Sequence, residues 1–391
     1  MTSSIPVKPI HLNLAIGVAA FSGATAARMQ LSLFALSLGA QPSQVGLLFA
    51  THFVFPLLMA WPIGVMADRI GSRGLLMFGM AAGAIGLSIP WAFPNLYALY
   101  AAGLMSGLAF AFSSVLILNL AGLLSTPENR ARNFANTSMT GSTANVLGPL
   151  IAGFAIDHAG QQVASLCSAG LLVVAFVLLA VWGGVLPGGS AKRAESKKSS
   201  LRDRLSDRTA AGIILVSCLV QTGSDLFVFY LPIYGHSLEM SATTIGIILA
   251  SIFAASFVSR LVMPQLILRV GERNLLAFGL FAAAAGFALI PLFEHPVMLS
   301  LIAAGFGLGS GCAQPLTMML LFNRAPEGRS GETVALRQTA NNITRVISPP
   351  FFGAIAAATG LWGVFLLSAL LMGAGGWKVM GTGLGDKAGK A

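Results

Sequence analysis

Apolar stretches of about 18 or more residues recur along the whole chain, and this feature restricts the possible folds more than any other. Each stretch is long enough to cross the hydrocarbon core of a bilayer as an α-helix. Strands that cross a bilayer would alternate apolar and polar residues over about ten positions, and the stretches do not alternate in this way. Of the 391 residues, 55% are hydrophobic and 9% are charged, whereas a soluble domain carries roughly a quarter charged residues. The sequence therefore predicts an all-α polytopic membrane protein.

The apolar stretches predict twelve transmembrane helices, many of which contain proline or glycine. Such interruptions are tolerated in a helix bundle because neighbouring groups satisfy the freed backbone atoms. The predicted spans are residues 12–37, 44–66, 74–93, 96–124, 132–156, 162–186, 209–235, 244–267, 274–293, 297–323, 331–357 and 360–381. We therefore expect two pseudo-symmetric six-helix bundles, at 1–186 and 209–391, joined by a basic linker at 187–208.

Lysine and arginine in the connections fall on one side of the predicted spans. They occupy both terminal regions, the linker and every second connection, whereas the opposite connections contain none. By the positive-inside rule, this asymmetry predicts that both termini and the linker are cytoplasmic. The formal net charge of +10 then belongs to a membrane surface, where anionic lipids attract it, and not to a nucleic-acid interface.

The sequence does not support a catalytic or cofactor site. The three cysteines lie inside apolar stretches without the paired spacing of a zinc site or a disulfide framework. The chain also lacks a phosphate-binding Walker loop, a metal-ligand spacing and a plausible nucleophile arrangement. We therefore expect no enzyme activity, no metal and no cofactor.

A charged turn separates the second and third predicted spans, and the chain repeats it. The turn contains Gly64, Asp68, Arg69, Gly71 and Arg73. A constant shift of 200 residues aligns 44–79 with 244–279 without a gap and with ten identities, among them Arg269, Gly271 and Arg273. Both halves begin on the same side of the membrane, so they are parallel repeats, an arrangement typical of secondary transporters.

This turn, in this position, resembles the signature loop of the major facilitator superfamily. The resemblance covers the whole chain and implies an alternating-access transporter of a small molecule, expected as a monomer in a bacterial inner membrane. It also implies that Asp68 acts as a conformational latch, with Arg130, Arg132 and the start of the eleventh span near Gly331 as candidate partners. Leu268 replaces the acid in the second copy, so we expect a latch in the first copy only. The alternative is that the arginines only fix the topology.

The fifth predicted span carries a second resemblance. Its residues Gly141, Gly148, Pro149 and Gly153 look like the antiporter motif of proton-driven exporters in this superfamily. Glycines at these positions could equally serve close helix packing. The family's drug exporters usually have an arginine in the fourth span, which is absent from 103–107, and many have an acid in the first span, where this chain has Arg28. The resemblance therefore supplies no coupling mechanism.

Charged residues inside the predicted spans are candidate site residues, because an unpaired charge in a bilayer is costly. Asp225 is the one carboxylate away from a span end, so we assign it to proton coupling; the alternative is a static buried ion pair. Arg28 occupies a similar depth in the first half, and Arg260 and Arg345 lie near the predicted midplane. Guanidinium groups match carboxylate and phosphate, so we predict that these three arginines bind substrate. Arg337 lies closer to a span end and is interpreted as structural.

Polar and aromatic residues on the same predicted spans could complete a substrate cavity or could bond neighbouring helices. The substrate-binding candidates among them are Gln30, Tyr230 and Asn341. Four intramembrane arginines against one acid favour proton-coupled export of a small organic anion or an anionic amphipathic solute. Two alternatives remain open: a multidrug/proton antiporter for neutral or cationic amphipaths, and a non-transporting receptor or lipid-handling protein on the same fold.

Overall fold

The computed structural model describes residues 8–126, 129–187, 208–322 and 330–381. Every regular element within these ranges is a helix, which confirms the all-α fold class. The α-helices are α1 Pro9–Ser37, α2 Pro42–Ile70, α3 Ser72–Ala92, α4 Leu96–Leu123, α5 Arg130–Trp182, α6 Arg208–Ser237, α7 Ala242–Val270, α8 Glu272–Leu289, α9 Pro296–Ser310, α10 Ala313–Phe322 and α11 Ser330–Gly381. Two 3₁₀ turns, Gly183–Val185 and Ile290–Leu292, follow α5 and α8.

Ten helices in the described ranges are long and apolar enough to cross a membrane, with α9 and α10 forming one of them. The two longest, α5 and α11, each contain one residue with non-helical backbone angles: Gly160, at φ 81°, and Gly360, at φ 72°. A positive φ is costly for residues with a Cβ, so glycine allows the chain to turn there. Dividing both helices at these breaks gives segments that correspond to predicted spans 5 and 6 and spans 11 and 12. The count of twelve membrane crossings stays a prediction.

The described residues form two compact units. One contains the described residues up to 187 together with Glu239–Gly246, and the other contains Arg208–Leu238 and the described residues from Ile247 onward. The eight residues Glu239–Gly246, around the start of α7, thus belong to the first unit. The sequence, in contrast, predicts that every residue from 209 onward belongs to the second bundle. The predicted boundaries at 186 and 209 stay a prediction.

Glycines allow the helices of each unit to approach closely. In the first unit, α1 packs on α4 and α5, and α4 packs on α2 and α3. A Cβ on Gly107 of α4 would collide with the backbone of His52 on α2. In the second unit, α11 packs on α6 and α8, and α9 packs on α8. There a Cβ on Gly279 would collide with the carbonyl oxygen of Gly309.

Candidate functional site

An ion pair with a buried carboxylate and a partly buried arginine lies inside the second unit, between α6 and α11. Arg345 Nε donates to Asp225 Oδ2 at 3.0 Å. Gln221 Nε2 donates to the same carboxylate oxygen at 2.7 Å. Gln221 and Asp225 are four residues apart and therefore share one face of α6. Asp225 is only 7% exposed, so its charge depends on these partners.

Hydrogen bonds continue from this ion pair to a second arginine. Gln314 Nε2 donates to Gln221 Oε1 at 2.6 Å, and Arg337 Nη2 donates to Gln314 Oε1 at 2.6 Å. Arg337 and Arg345 are eight residues apart, or about two turns, so one face of α11 carries both ends of the network. We call these five residues the Asp225 network: Gln221, Asp225, Gln314, Arg337 and Arg345. It joins α6, α10 and α11 and contains one carboxylate and two guanidinium groups.

Arg337 is more deeply buried than its position in the sequence suggested. It is 6% exposed, and its guanidinium also lies 3.4 Å from Thr317 Oγ1. The sequence interpretation of Arg337 as structural stays a prediction, but the network places this residue in the same chain of hydrogen bonds as Asp225. The amide side chains that connect them carry no charge, so sequence reasoning had no signal that linked the two arginines.

The remaining candidates in the second unit lie in different surroundings. Asn341 is 2% exposed, and its Oδ1 accepts a hydrogen bond from Ser217 Oγ at 3.3 Å. Tyr230 is fully buried, with its ring 4.8 Å from the Phe229 ring. Arg260 is exposed, and its Nε donates to the carbonyl oxygen of Gly311 at 3.0 Å, at the turn between α9 and α10. Their assignment to substrate binding stays a prediction.

In the first unit, Arg28 lies against an aromatic cluster. Its guanidinium carbon is 6.0 Å from the centre of the Phe53 ring, a cation–π distance. The Phe53 and Phe110 rings are 6.3 Å apart, and His52 lies 5.3 Å from Phe110 while its Nδ1 is 3.0 Å from Ser106 Oγ. We call Phe21, Phe49, His52, Phe53 and Phe110 the aromatic cluster. Its rings are tilted or edge-on to one another, and Phe49, His52 and Phe53 are buried.

Gln30 lies away from this cluster. It is fully buried, and its Nε2 donates to the carbonyl oxygen of Gln161 at 3.2 Å, next to the break at Gly160. The side chain thus joins α1 to the turn within α5. Its predicted contact with substrate remains untested.

The charged turn has a structural role that the sequence did not predict. Arg73 Nε donates to the carbonyl oxygen of Leu179 at 3.3 Å, and its Nη2 donates to that of Ala180 at 3.0 Å. These carbonyls lie in the last turn of α5, where the helix dipole favours a cation. Gly71, at φ 84°, forms the corner between α2 and α3.

The proposed latch falls partly outside the described residues. The side chains of Asp68 and Arg130 belong to the part of the chain that the structure does not describe, whereas Arg69 and Arg132 are exposed. A Cβ on Gly64 would meet open space. The latch therefore stays a prediction.

Three residues of the antiporter-like motif lie where two helix backbones come close together: Gly148, Pro149 and Gly153. A Cβ on Gly148 would collide with Thr25 of α1. A Cβ on Gly153 would collide with the backbone of Ala242, and Pro149 contributes the carbonyl oxygen against which Gly246 packs. Gly141, in contrast, faces open space. The packing interpretation of this motif therefore accounts for Gly148 and Gly153.

Sequence reasoning missed one carboxylate entirely. Asp157 lies one turn before the break at Gly160, and both of its oxygens accept hydrogen bonds from the backbone at the start of α7. A signal was present, because Asp157 is an acid in a connection that contains no lysine or arginine. Its partner, 85 residues further along the chain, could not be identified without the fold.

Comparisons with known proteins agree with this architecture. The sequence profile of the Major Facilitator Superfamily matches residues 13–349. The class G tetracycline resistance protein of Vibrio anguillarum is 26% identical over 83% of this chain and 84% of its own length. The multidrug resistance protein MdtG of Klebsiella pneumoniae (strain 342) is 23% identical over 83% of this chain and 80% of its own length.

A solved structure shares the fold. A mutant of the nucleoside transporter NupG superposes with a TM-score of 0.80 at 14% identity, covering 95% of this chain and 99% of that one. At this identity the match shows the fold alone. Together with the family match and the apolar helices, it establishes what kind of molecule this is. The chain belongs to the Major Facilitator Superfamily and is an integral membrane secondary transporter, not an enzyme.

Proposed function

We propose that the protein is a proton-coupled exporter that works by alternating access and carries a small organic anion or an amphipathic solute with an anionic group. The observation that carries this proposal is the buried Asp225–Arg345 ion pair, at 3.0 Å, inside a hydrogen-bonded network with a second arginine. An arginine that pairs with a carboxylate can exchange this partner for an anionic substrate when the carboxylate takes up a proton.

The network suggests how proton binding and anion binding are coupled to one another. When Asp225 is ionised, it neutralises Arg345 and accepts the Gln221 amide. When Asp225 takes up a proton, Arg345 loses its carboxylate partner, and the two guanidinium groups favour an incoming anion. Release of the proton restores the pair and displaces the anion. Binding of either ligand thus raises the affinity for the other, as thermodynamic linkage requires.

The export direction and the cellular location are supported by other observations. The relatives are named as tetracycline and multidrug resistance proteins of bacteria, which supports efflux across an inner membrane. The one-sided distribution of lysine and arginine supports cytoplasmic termini. Asp68, in the charged turn, is proposed to close the cytoplasmic side while the protein opens outward.

A multidrug/proton antiporter for neutral or cationic amphipaths is the second candidate. The aromatic cluster of the first unit favours it, because ring faces bind planar apolar solutes and attract cations. The names of the relatives agree with this alternative. Arg28 beside Phe53 opposes it for cations, since a guanidinium already lies over that ring.

A ligand panel on the purified protein distinguishes the two candidates. Thermal unfolding is measured with organic anions and lipophilic cations, for the wild type and for Asp225→Asn, Arg260→Ala and Arg345→Ala. Anions that stabilise the wild type and lose their effect in Arg345→Ala support the first candidate. Asn145→Ala, at the equivalent position of the first repeat, is the matched control and should leave the shift unchanged.

Flux in proteoliposomes then tests the coupling. A pH gradient should drive transport of a stabilising anion by the wild type, and Asp225→Asn should remove the dependence on the gradient. Stabilisation by cations alone would reject the anion substrate. Absence of gradient-driven flux for every stabilising ligand would reject proton coupling.

A further inference from the structure

The start of α7 is held by a residue from a distant part of the chain. Asp157 Oδ1 accepts a hydrogen bond from Ala242 N at 2.9 Å, and its Oδ2 accepts one from Thr243 N at 2.7 Å. The first N–H groups of a helix lack helical partners and carry the positive end of the helix dipole. A carboxylate that accepts two of them makes strong, charge-assisted hydrogen bonds.

The helix does not need Asp157 to begin. Ser241, directly before α7, already supplies a local cap, because its Oγ accepts a hydrogen bond from Thr244 N at 3.2 Å. In the first repeat, α2 begins with a local capping box of Gln41 and Gln44. The residue equivalent to Asp157 in the second repeat is Ala357. A helix start in this fold is therefore stable with local residues, and the Asp157 contact serves a different purpose.

Close backbone packing aligns the carboxylate with its partners. Gly153 lies one turn before Asp157 on the same face of α5, and a Cβ there would collide with the carbonyl oxygen of Ala242. One turn into α7, a Cβ on Gly246 would collide with the carbonyl oxygen of Pro149. The backbones of α5 and α7 are thus in direct contact, and the hydrogen bonds of Asp157 lie at one end of this contact.

We propose that Asp157 is a positioning residue of the transport cycle, which holds 242–246 against α5 in one state and releases this segment in the other. The rest of α7, from Ile247, belongs to the second unit, so α7 extends across the division between the units. A movement of α7 therefore reaches 242–246, because Ala242–Val270 is one helix. The proposal rests on alternating access, and it assigns a latch to the break in α5 at Gly160, whereas the Arg73 contacts lie in the last turn of this helix.

Hydrogen exchange of the full-length protein in nanodiscs tests the contact directly. Asp157→Ala removes both acceptors, and Asp157→Asn keeps the shape of the side chain but only one acceptor. We expect the amides of 242–243 to exchange roughly tenfold faster in Asp157→Ala, with a smaller increase in Asp157→Asn. Ser241→Ala is the matched control, because it removes the local cap at Thr244 and leaves the Asp157 carboxylate in place.

Spin-label distances then separate a latch from a simple cap. Labels at Phe93→Cys and Leu292→Cys, both exposed, are placed in a chain whose three cysteines are replaced. If Asp157 is a latch, Asp157→Ala and Asp157→Asn should increase the share of longer distances between the two labels. Ser241→Ala should leave the distribution of label distances unchanged. Faster exchange without a change in distances would overturn the proposal, as would unchanged exchange. Neither measurement needs a substrate, so failure of the proposed anion transport would not affect the result.

Discussion

The two repeats use the same framework but differ in their interiors. Corner glycines with positive φ occur at equivalent positions, Gly71 with Gly271 and Gly160 with Gly360. The arginine after the first corner also has an equivalent partner in each half: Arg73 donates to the carbonyl oxygen of Leu179, and Arg273 to that of Val379. Both pairs of positions differ by 200 residues.

The interiors diverge at one pair of equivalent positions. In the first unit, Thr25 Oγ1 donates to the carbonyl oxygen of Ala144 at 2.9 Å. Two hundred residues later, Asp225 occupies the threonine position, and Arg345 replaces Asn145, the neighbour of Ala144. The same helix pair is thus joined by a neutral hydrogen bond in one half and by an ion pair in the other. Backbone geometry has been kept between the repeats, while the charged residues at these two positions occur in the second half only.

The largest expected difference between the halves concerns the charged turn. Asp68→Asn should reduce transport roughly 100-fold, the size of a strong coupling between two states, with normal expression. Leu268→Asn, at the equivalent position of the second repeat, should leave transport near wild type, because Leu268 is 87% exposed and no acid is present there to lose. Flux in proteoliposomes measures both. Normal transport by Asp68→Asn would remove the proposed latch.

The interior difference predicts a large effect on stability. Asp225→Ala should lower the free energy of unfolding by about 3–5 kcal/mol, because it removes the buried carboxylate that pairs with Arg345 and accepts the Gln221 amide. Thr25→Ala should cost only about 1 kcal/mol. Asp225→Ala combined with Arg345→Ala should be more stable than Asp225→Ala alone. Thermal and denaturant unfolding in detergent would show this, and equal losses at Thr25 and Asp225 would contradict the comparison.

The shared framework predicts a smaller and equal effect in both halves. Arg73→Gln and Arg273→Gln should each reduce stability by about 1 kcal/mol, since each removes a cation from the carbonyl end of a helix. Arg69→Gln, whose side chain is exposed, is the control in the first half. A loss confined to Arg73→Gln would mean that the second copy of the contact does not stabilise its helix.

The smallest expected effect concerns the loop after the first helix of each repeat. Gly39 has φ 80°, and the equivalent Glu239 has φ 56°. Gly39→Ala should destabilise the protein by about 1–2 kcal/mol, because a Cβ is unfavourable at positive φ. Glu239→Gly should stabilise it by no more than about 1 kcal/mol, since the flexible glycine also favours the unfolded chain. Unfolding temperatures of the two variants should therefore move in opposite directions.

Much of the framework could be predicted from the sequence. The predicted edges at 12–37 and 96–124 lie within a few residues of α1 and α4. The ungapped shift of 200 residues identified the corner glycines before any geometry was known. These features are local: apolar length, turn glycine and charge at a span end each act within a few residues of the chain.

The partners of the charged residues could not be predicted in the same way. The sequence indicated Asp225 and four intramembrane arginines, but their pairing depends on which helix faces are in contact. The fold brought Arg345 to Asp225 and added Gln221 and Gln314, whose uncharged amides gave no sequence signal.

The sequence alone thus determined that this chain forms apolar helices in two repeats, because the length of each apolar stretch and its repetition are properties of the residue order itself. The tertiary structure decided where the charges meet. It paired Asp225 with Arg345, placed Arg28 over Phe53 and set Asp157 on the start of α7. These contacts join residues about 25 to 120 positions apart, and a buried charge is stabilised only by the groups that packing places around it.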